Sequence, residues 1–208
     1  STDINNWSIN TISPVDMTDM FIAATNFNQP IGAWDVSNVT SMSGMFRLAT
    51  NFNQDIGSWN VGNVTNFLQF FNTKTSANYS TTNMDSILNG WTLNELKTPQ
   101  SNIVDFGTIK RTAAGTESYN LLTRVSTTKT VTNAVNNGSG LIRITSVGHG
   151  LSTGNKCFIK SILGTTEANG LATITVIDPD TFDIVGSTFT NTYISGGTVV
   201  TGYGWTIT

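Results

Sequence analysis

Apolar and polar positions in the first third of the chain recur with a fixed period. Met17, Met20, Phe21, Ala24, Asn26, Phe27, Asn28 and Gln29 return 25 positions later as Met42, Met45, Phe46, Ala49, Asn51, Phe52, Asn53 and Gln54. The run Ile31-Gly32-Ala33-Trp34-Asp35-Val36-Ser37-Asn38-Val39-Thr40 likewise returns as Ile56-Gly57-Ser58-Trp59-Asn60-Val61-Gly62-Asn63-Val64-Thr65. A third pass keeps Phe67, Phe70 and Phe71 in the Met/Met/Phe slots. Two periodicities alternate inside each unit. Trp34 and Val36 flank polar Asp35 and Ser37, the two-residue period of a short strand. Met42, Met45, Phe46 and Ala49 then fall at i, i+3, i+4, i+7, one face of a helix, with Thr40 or Ser41 as N-cap. In the first unit the stretch from Trp7 to Met17 is two residues longer than Trp34 to Met42, and the addition includes Ser13-Pro14, which reads as an N-cap followed by Pro at the first helical position. One strand and one short helix per unit are therefore expected. No such unit can bury its own apolar face, so the units must stack into a solenoid.

Stacking would line the repeated residues up in columns. The pairs Asn26/Asn51, Asn28/Asn53 and Asn38/Asn63 read as amides satisfying turn backbone groups within each coil. The column Trp7/Trp34/Trp59, at strand spacing beside Val, reads as core and not as a platform for stacking sugars. Outward strand positions form the regular face on which repeat proteins recognise partners. Here they are Ser8, Asn10, Asp35, Ser37, Asn60 and Gly62, the candidate receptor-binding residues.

The segment Met45–Phe67, MFRLATNFNQDIGSWNVGNVTNF, resembles the units of the BspA-like, leucine-rich-repeat-related surface proteins of bacteria, and the resemblance covers residues 1–72. Met84-Asp85-Ser86-Ile87-Leu88-Asn89-Gly90-Trp91 and the final Gly204-Trp205-Thr206-Ile207-Thr208 are similar to the closing helix and last strand of that family. The resemblance implies a surface location and an adhesive role without shared catalytic residues. The third unit departs from the pattern: Phe67 replaces Met, and the Phe-Asn-Gln loop is missing after Phe71.

Residues 113–124 read as a helix capped by Thr112. The chain then changes character, with alternating strands at Leu141–Val147, Cys157–Ile162, Ala172–Ile177 and Phe182–Val185 and turns at Asn136-Asn137-Gly138 and Asp178-Pro179-Asp180. The Trp-x-aliphatic pattern returns only at Trp205 and Ile207. This order predicts an α+β chain: a short LRR-like strand/helix solenoid with its C-terminal cap over 1–125 and 201–208, and a small all-β barrel inserted at 126–200. Insertion requires the ends of the guest to lie close together. Residues 144–186, with Ser195-Gly196-Gly197-Thr198 after them, are similar to small β-barrel modules frequent in phage tail and fibre proteins, distantly akin to the first catalytic-cysteine half-domain of ubiquitin-activating enzymes. That resemblance, over residues 127–200, implies a fold and a phage setting, not an activity.

Composition narrows the function further. Only 11% of residues are charged, and Thr, Asn, Ser and Gly take their place, so the surface is solvated by neutral hydrogen-bonding groups. A net charge of -3 without a Lys/Arg cluster argues against nucleic acid. No apolar run approaches the roughly 18 residues of a membrane span, so no membrane insertion is expected. Lone Cys157 cannot form an internal disulfide and reads as a small buried hydrophobe. His149, the single histidine, reads as a turn residue bonded to backbone, and with one Cys it makes no metal site or Cys–His pair. Asp178, Asp180 and Asp183 have the spacing of a calcium loop, but they run straight into a strand and read as a hairpin turn. The 13 acids are scattered, and no pair suggests glycosidase chemistry. The expectation is a non-catalytic receptor-binding module without cofactors, the distal part of a phage tail fibre in the virion. Its partner would be a host polysaccharide or outer-membrane protein, and its assembly a homotrimer, although no heptad encodes one. The alternative is a bacterial cell-surface adhesin. A polysaccharide-degrading spike domain is a third, weaker possibility. The loop tips Asn136–Ser139 and Thr165–Gly170 are the runner-up surface.

Overall fold

The computed structural model describes residue 4 and residues 14–97 and 103–208. The fold is mixed α+β and divides into two units, Ser1–Tyr119 with Gly204–Thr208, and Asn120–Tyr203. Along the chain run β1 (Val15–Asp16), β2 (Val39–Ser41), α1 (Thr81–Trp91), β3 (Ile103–Val104) and α2 (Thr116–Thr123). There follow β4 (Thr128–Thr130), β5 (Asn133–Asn136), β6 (Ile142–Thr145), β7 (Lys156–Leu163), β8 (Gly170–Asp178), β9 (Thr181–Ile184), β10 (Ser195–Val200) and β11 (Thr206–Ile207).

In the first unit, successive repeats lie side by side as parallel rungs. Val15 pairs with Val39, Ser41 bridges Asn66, Phe67 bridges Val104, and Val104 pairs with Ile207. The apolar column Met17, Met42, Phe67, Val104 is buried throughout. Alternate backbone N–H groups bond across rungs: Met17 to Ser41 O, Asp19 to Ser43 O, Phe21 to Met45 O and Ala23 to Arg47 O, then Met42 to Asn66 O, Gly44 to Leu68 O and Phe46 to Phe70 O. The N–H groups between them close local three-residue turns, such as Met20 to Met17 O and Ala24 to Phe21 O.

This pattern corrects the expected helix. Residues 42–49 are linked turns with no helix, so neither Thr40 nor Ser41 acts as a helix cap. A helix spends every N–H on its own carbonyl four residues back, which would leave none for the neighbouring rung. The linked turns keep the i, i+3, i+4, i+7 burial of Met42, Met45, Phe46 and Ala49, all 0% exposed. They do so with left-handed residues at equivalent places, Asp19, Gly44 and Gln69 in one column and Ala23 and Leu48 in another. The expected strand at Trp34–Ser37 is also corrected. Trp34 and Val36 are buried and Asp35 exposed as the alternation requires, but the hydrogen-bonded strand is β2, which begins at Val39. The turn at Ser37-Asn38 separates the two.

Of the tryptophan column, Trp34 and Trp59 lie in the core. Indole N–H groups of Trp34, Trp59 and Trp91 donate to the carbonyls of Ile4, Ile31 and Ile56, each at 3.0 Å. Each bond ties one rung to the rung before it, and Trp91 extends the series from the end of α1. Phenyl rings stack in the same direction, Phe21 on Phe46 at 5.6 Å and Phe27 on Phe52 at 5.7 Å. Trp205 returns to this core beside Phe67, with ring centroids 5.7 Å apart. Its indole N–H finds no acceptor among the described residues. Lys74 occupies the Ala24/Ala49 position and is buried, its ammonium donating to Thr50 O at 3.0 Å and Phe52 O at 2.6 Å. Burial pushes its pKa down to about 8.

The second unit is a seven-stranded antiparallel sheet in the order β4-β10-β7-β8-β9-β6-β5. Strands β6 to β9 fall where alternation predicted them. No hydrogen-bonded pair joins β4 to β5, so a closed barrel is not observed. These two edge strands are nevertheless consecutive in the chain, with Val131 N–H bonded to Gly197 O and Thr132 N–H to Thr145 O. The sheet buries a single core that includes Ile144, Cys157, Ile159, Ile174, Phe182 and Val199. Glu167 gathers the loop opposite it, accepting from the N–H and hydroxyl of Thr190 and from the N–H and side chain of Asn191. Partial desolvation raises its pKa, but bonds from Asn191, its own N–H and Thr190 outweigh that and hold it at about 2.

Two outcomes follow. Trp59→Phe removes the indole donor and leaves Ile31 O with the Trp34 N–H alone, so it should lower stability by about 0.5–1.5 kcal/mol in denaturant unfolding; an unchanged midpoint would mean that the indole ladder contributes nothing. The Glu167 carboxylate has a folded pKa below its ordinary 4.5, so the anchoring it provides is complete above 4.5 and fades as pH falls towards about 2. Protection factors of the Thr190 and Asn191 amides, corrected for the intrinsic pH dependence of exchange, should fall across that window in the native protein and be low at all pH values in Glu167→Gln.

Candidate functional site

The polar residues of each rung first serve its turns. Asp16 accepts from Thr18 N–H at 2.8 Å, Asp35 from Ser37 N–H at 2.9 Å, Asp55 from Gly57 N–H at 2.8 Å, Asn60 from Gly62 N–H at 3.1 Å and Asn66 from Leu68 N–H at 3.1 Å. These are turns capped by the side chain two residues earlier. The hydroxyl and N–H of Ser37 hold the Asp35 carboxyl below its usual range. Asn63 then crosses to the preceding rung, donating to Ser37 O at 2.7 Å. Asp35 and Asn60 are exposed, while Ser37 and Gly62 are half-buried. All four sit at capped turns, not on an outward strand face. Ser8 and Asn10, with Trp7 and Ser13, lie outside the described residues.

Two of the four open onto a hollow. Asn60, Gly62 and Asn63 line it from the second repeat, and Asn94, Glu95, Leu96 and Lys97 from the segment after α1, around a volume of about 430 Å³. Backbone contact explains the placement. Helix α1 is capped by Ser80, whose side chain accepts from Asn83 N–H. It lies against the second repeat so closely that a Cβ on Gly90 would sit 2.0 Å from Gly57 O. Trp91 docks its end on Ile56 O, and buried Leu96 anchors the segment beyond. That segment crosses Gly62, where a Cβ would stand 2.7 Å from Glu95 O. The hollow thus presents three amide side chains, a carboxylate and the exposed Lys97 ammonium, a set suited to hydrogen-bonded recognition of a polar surface. Asn94, Glu95 and Lys97 escaped the sequence reading because they belong to no repeat. The glycines Gly57 and Gly90 are the signal that could have revealed the approach.

Several chemistry-bearing side chains elsewhere are committed to structure. His149 is buried, its Nδ1 accepting from Leu151 N–H at 3.0 Å, which leaves Nε2 to donate to Asp178 O at 3.1 Å. Asp178 accepts from Asp180 N–H and Thr181 Oγ1. Asp180 accepts from Gly148 N–H, and Asp183 pairs with Arg143 at 2.7 Å. Among the described residues no group of three or more His, Cys, Asp or Glu side chains is placed to hold a metal. Cys157 is buried in the sheet core, and burial pushes its thiol up to about 12. The Asn136–Ser139 tip is a tight turn whose acceptors are filled by its own backbone N–H groups. The Thr165–Gly170 tip carries Glu167 and its bonded loop.

Fold and hollow together define a mixed α+β chain whose repeats join through parallel rung bonds and bear polar recesses, and whose residues 120–203 form a separate unit with an antiparallel sheet. The chain belongs to the family described as "Mycoplasma protein of unknown function, DUF285", which matches residues 1–106 and so spans the repeats, α1 and β3. No curated protein matches the chain.

Gly62→Ala should force Glu95 and its neighbours away, costing about 1–3 kcal/mol and perturbing the backbone resonances of residues 94–97. A variant with native stability and unshifted resonances would show that the close approach does not hold the segment.

Proposed function

We propose that the chain is a non-catalytic receptor-binding module, the distal part of a phage tail fibre that recognises a polysaccharide or outer-membrane protein on a host cell. The observation that carries this reading is the polar hollow in which Asn60 and Gly62 meet Asn94, Glu95 and Lys97. It supplies convergent donors and acceptors, while elsewhere Asp16, Asp35, Asp55, Asp178 and His149 are occupied by turn backbone groups and Asp183 by Arg143. In this reading residues 1–125 and 201–208 form a BspA-like, leucine-rich-repeat-related solenoid, supported by the rung bonds that recur at the repeat length. Residues 126–200 form a guest module of the kind found in phage tails, a small barrel-like unit whose edge strands β4 and β5 are consecutive in the chain. A fibre of this type is a homotrimer carried on the virion.

One observation favours a second reading. The matched family is described from Mycoplasma, which suits a bacterial cell-surface adhesin built on the same repeats. Tail genes beside the coding sequence would favour the fibre, and a lipoprotein signal upstream the adhesin.

The test uses the labelled full chain and intact host cells. Asn94 and Lys97 carry no turn-capping bond, so Asn94→Tyr with Lys97→Glu alters the hollow without loosening a rung. Adsorption should fall by about tenfold or more, as for residues central to an interface, with an unchanged unfolding midpoint. Undiminished adsorption would remove this hollow as the receptor site. Shortened capsule chains after incubation with the protein would replace the reading with a depolymerase.

A further inference from the structure

A second hollow, also of about 430 Å³, opens elsewhere on the repeat unit, with Asn28, Asn51, Asn53, Asn78 and Ser80 in its lining. No charged side chain lines it. Its asparagines form a ladder from rung to rung. Asn28 Oδ1 accepts from Asn53 N–H at 2.8 Å and from Gln54 Nε2 at 3.0 Å. Asn53 Oδ1 accepts in turn from Ser80 N–H at 2.8 Å and Asn83 Nδ2 at 3.1 Å. Asn78 Oδ1 accepts from Thr75 N–H at 2.8 Å. These bonds correct the reading of the asparagines as serving turns within a coil, since Asn28 and Asn53 join successive rungs.

The ladder also fixes which end of each amide is free. A backbone N–H can be met only by the oxygen, so the orientation of these three amides is determined by their partners. Their Nδ2 groups make no hydrogen bond among the described residues, and the Asn51 side chain makes none at either end. The hollow therefore presents a row of neutral N–H donors. Phe27 and Phe52, the residues just before two of these asparagines, have ring centroids 5.7 Å apart. That step is close to the length of one hexopyranose residue in an extended linear glycan. Ring and hydroxyl oxygens of a sugar are the acceptors such a row lacks, and the absence of a lining cation gives an acidic polymer no counter-charge.

We propose that this hollow binds a neutral, extended hexose polymer along the asparagine ladder, one sugar residue per rung. The site uses none of the residues of the Lys97 hollow, so cell adsorption through that hollow and glycan binding through this one can each fail while the other stands.

The test is titration of the full chain with linear glucan, mannan and galactan oligomers, from dimer to hexamer, with polygalacturonate as the acidic polymer. Calorimetry should show affinity for at least one neutral series rising with length. Side-chain amide resonances of Asn28, Asn51 and Asn53 should shift on binding. The Asn51 side chain supports no turn and no rung, and its backbone N–H keeps Thr25 O in any variant, so Asn51→Ala should weaken hexamer binding about fivefold, as loss of one hydrogen bond does, with an unchanged unfolding midpoint. The proposal is overturned if no neutral oligomer shifts those amides, if affinity does not depend on length, if only polygalacturonate binds, or if Asn51→Ala binds as tightly as the native chain.

Discussion

Backbone groups in the repeat unit must be satisfied from one rung to the next, and the other features of that unit follow from this requirement. Met17, Asp19, Phe21 and Ala23 each send an N–H to the following rung, and the intervening residues close turns locally. Half of the donors are therefore spoken for by a neighbour. An isolated repeat would leave them open to water and its apolar face uncovered, which is why a single repeat has no reason to fold alone. The indole bonds of Trp34, Trp59 and Trp91 to isoleucine carbonyls repeat the same device inside the core.

The rung rule tolerates long excursions of the chain. Neighbouring rungs are 25 positions apart at Ser41 and Asn66, but the next steps run from Phe67 to Val104 and from Val104 to Ile207. The first excursion carries α1, which rejoins the column through Trp91. The second carries the antiparallel sheet. A stack needs only that each returning segment offer the right edge and the right apolar residue, and Trp205 with Ile207 meets both conditions. At this return the Trp205 indole N–H, unlike those of Trp34, Trp59 and Trp91, finds no acceptor among the described residues.

The same economy shapes the surface. With few charges available, the turns are capped by Asp and Asn side chains whose oxygens are consumed by backbone N–H groups. In the asparagine-lined hollow what remains outward includes amide N–H groups, which hydrogen-bond without a net charge. Recognition by such a surface depends on matching the spacing of the rungs, and its strength should vary little with salt, since long-range ionic attraction contributes little.

The repeat, its period, its buried residues and the β-rich character of the later chain were determined by the sequence alone, because side-chain periodicity reports burial directly. The same periodicity could not separate a helix from linked turns. Met42, Met45, Phe46 and Ala49 face inward in both, and the choice rested on where the backbone N–H groups find partners, which depends on residues 24 positions away. Alternation likewise marked Trp34 and Val36 as buried but not where pairing begins. The hollows were beyond local pattern altogether. Asn94 and Lys97 meet Asn60 only because Gly57 and Gly90 let a helix lie against a rung, and that approach between distant backbones exists only in three dimensions.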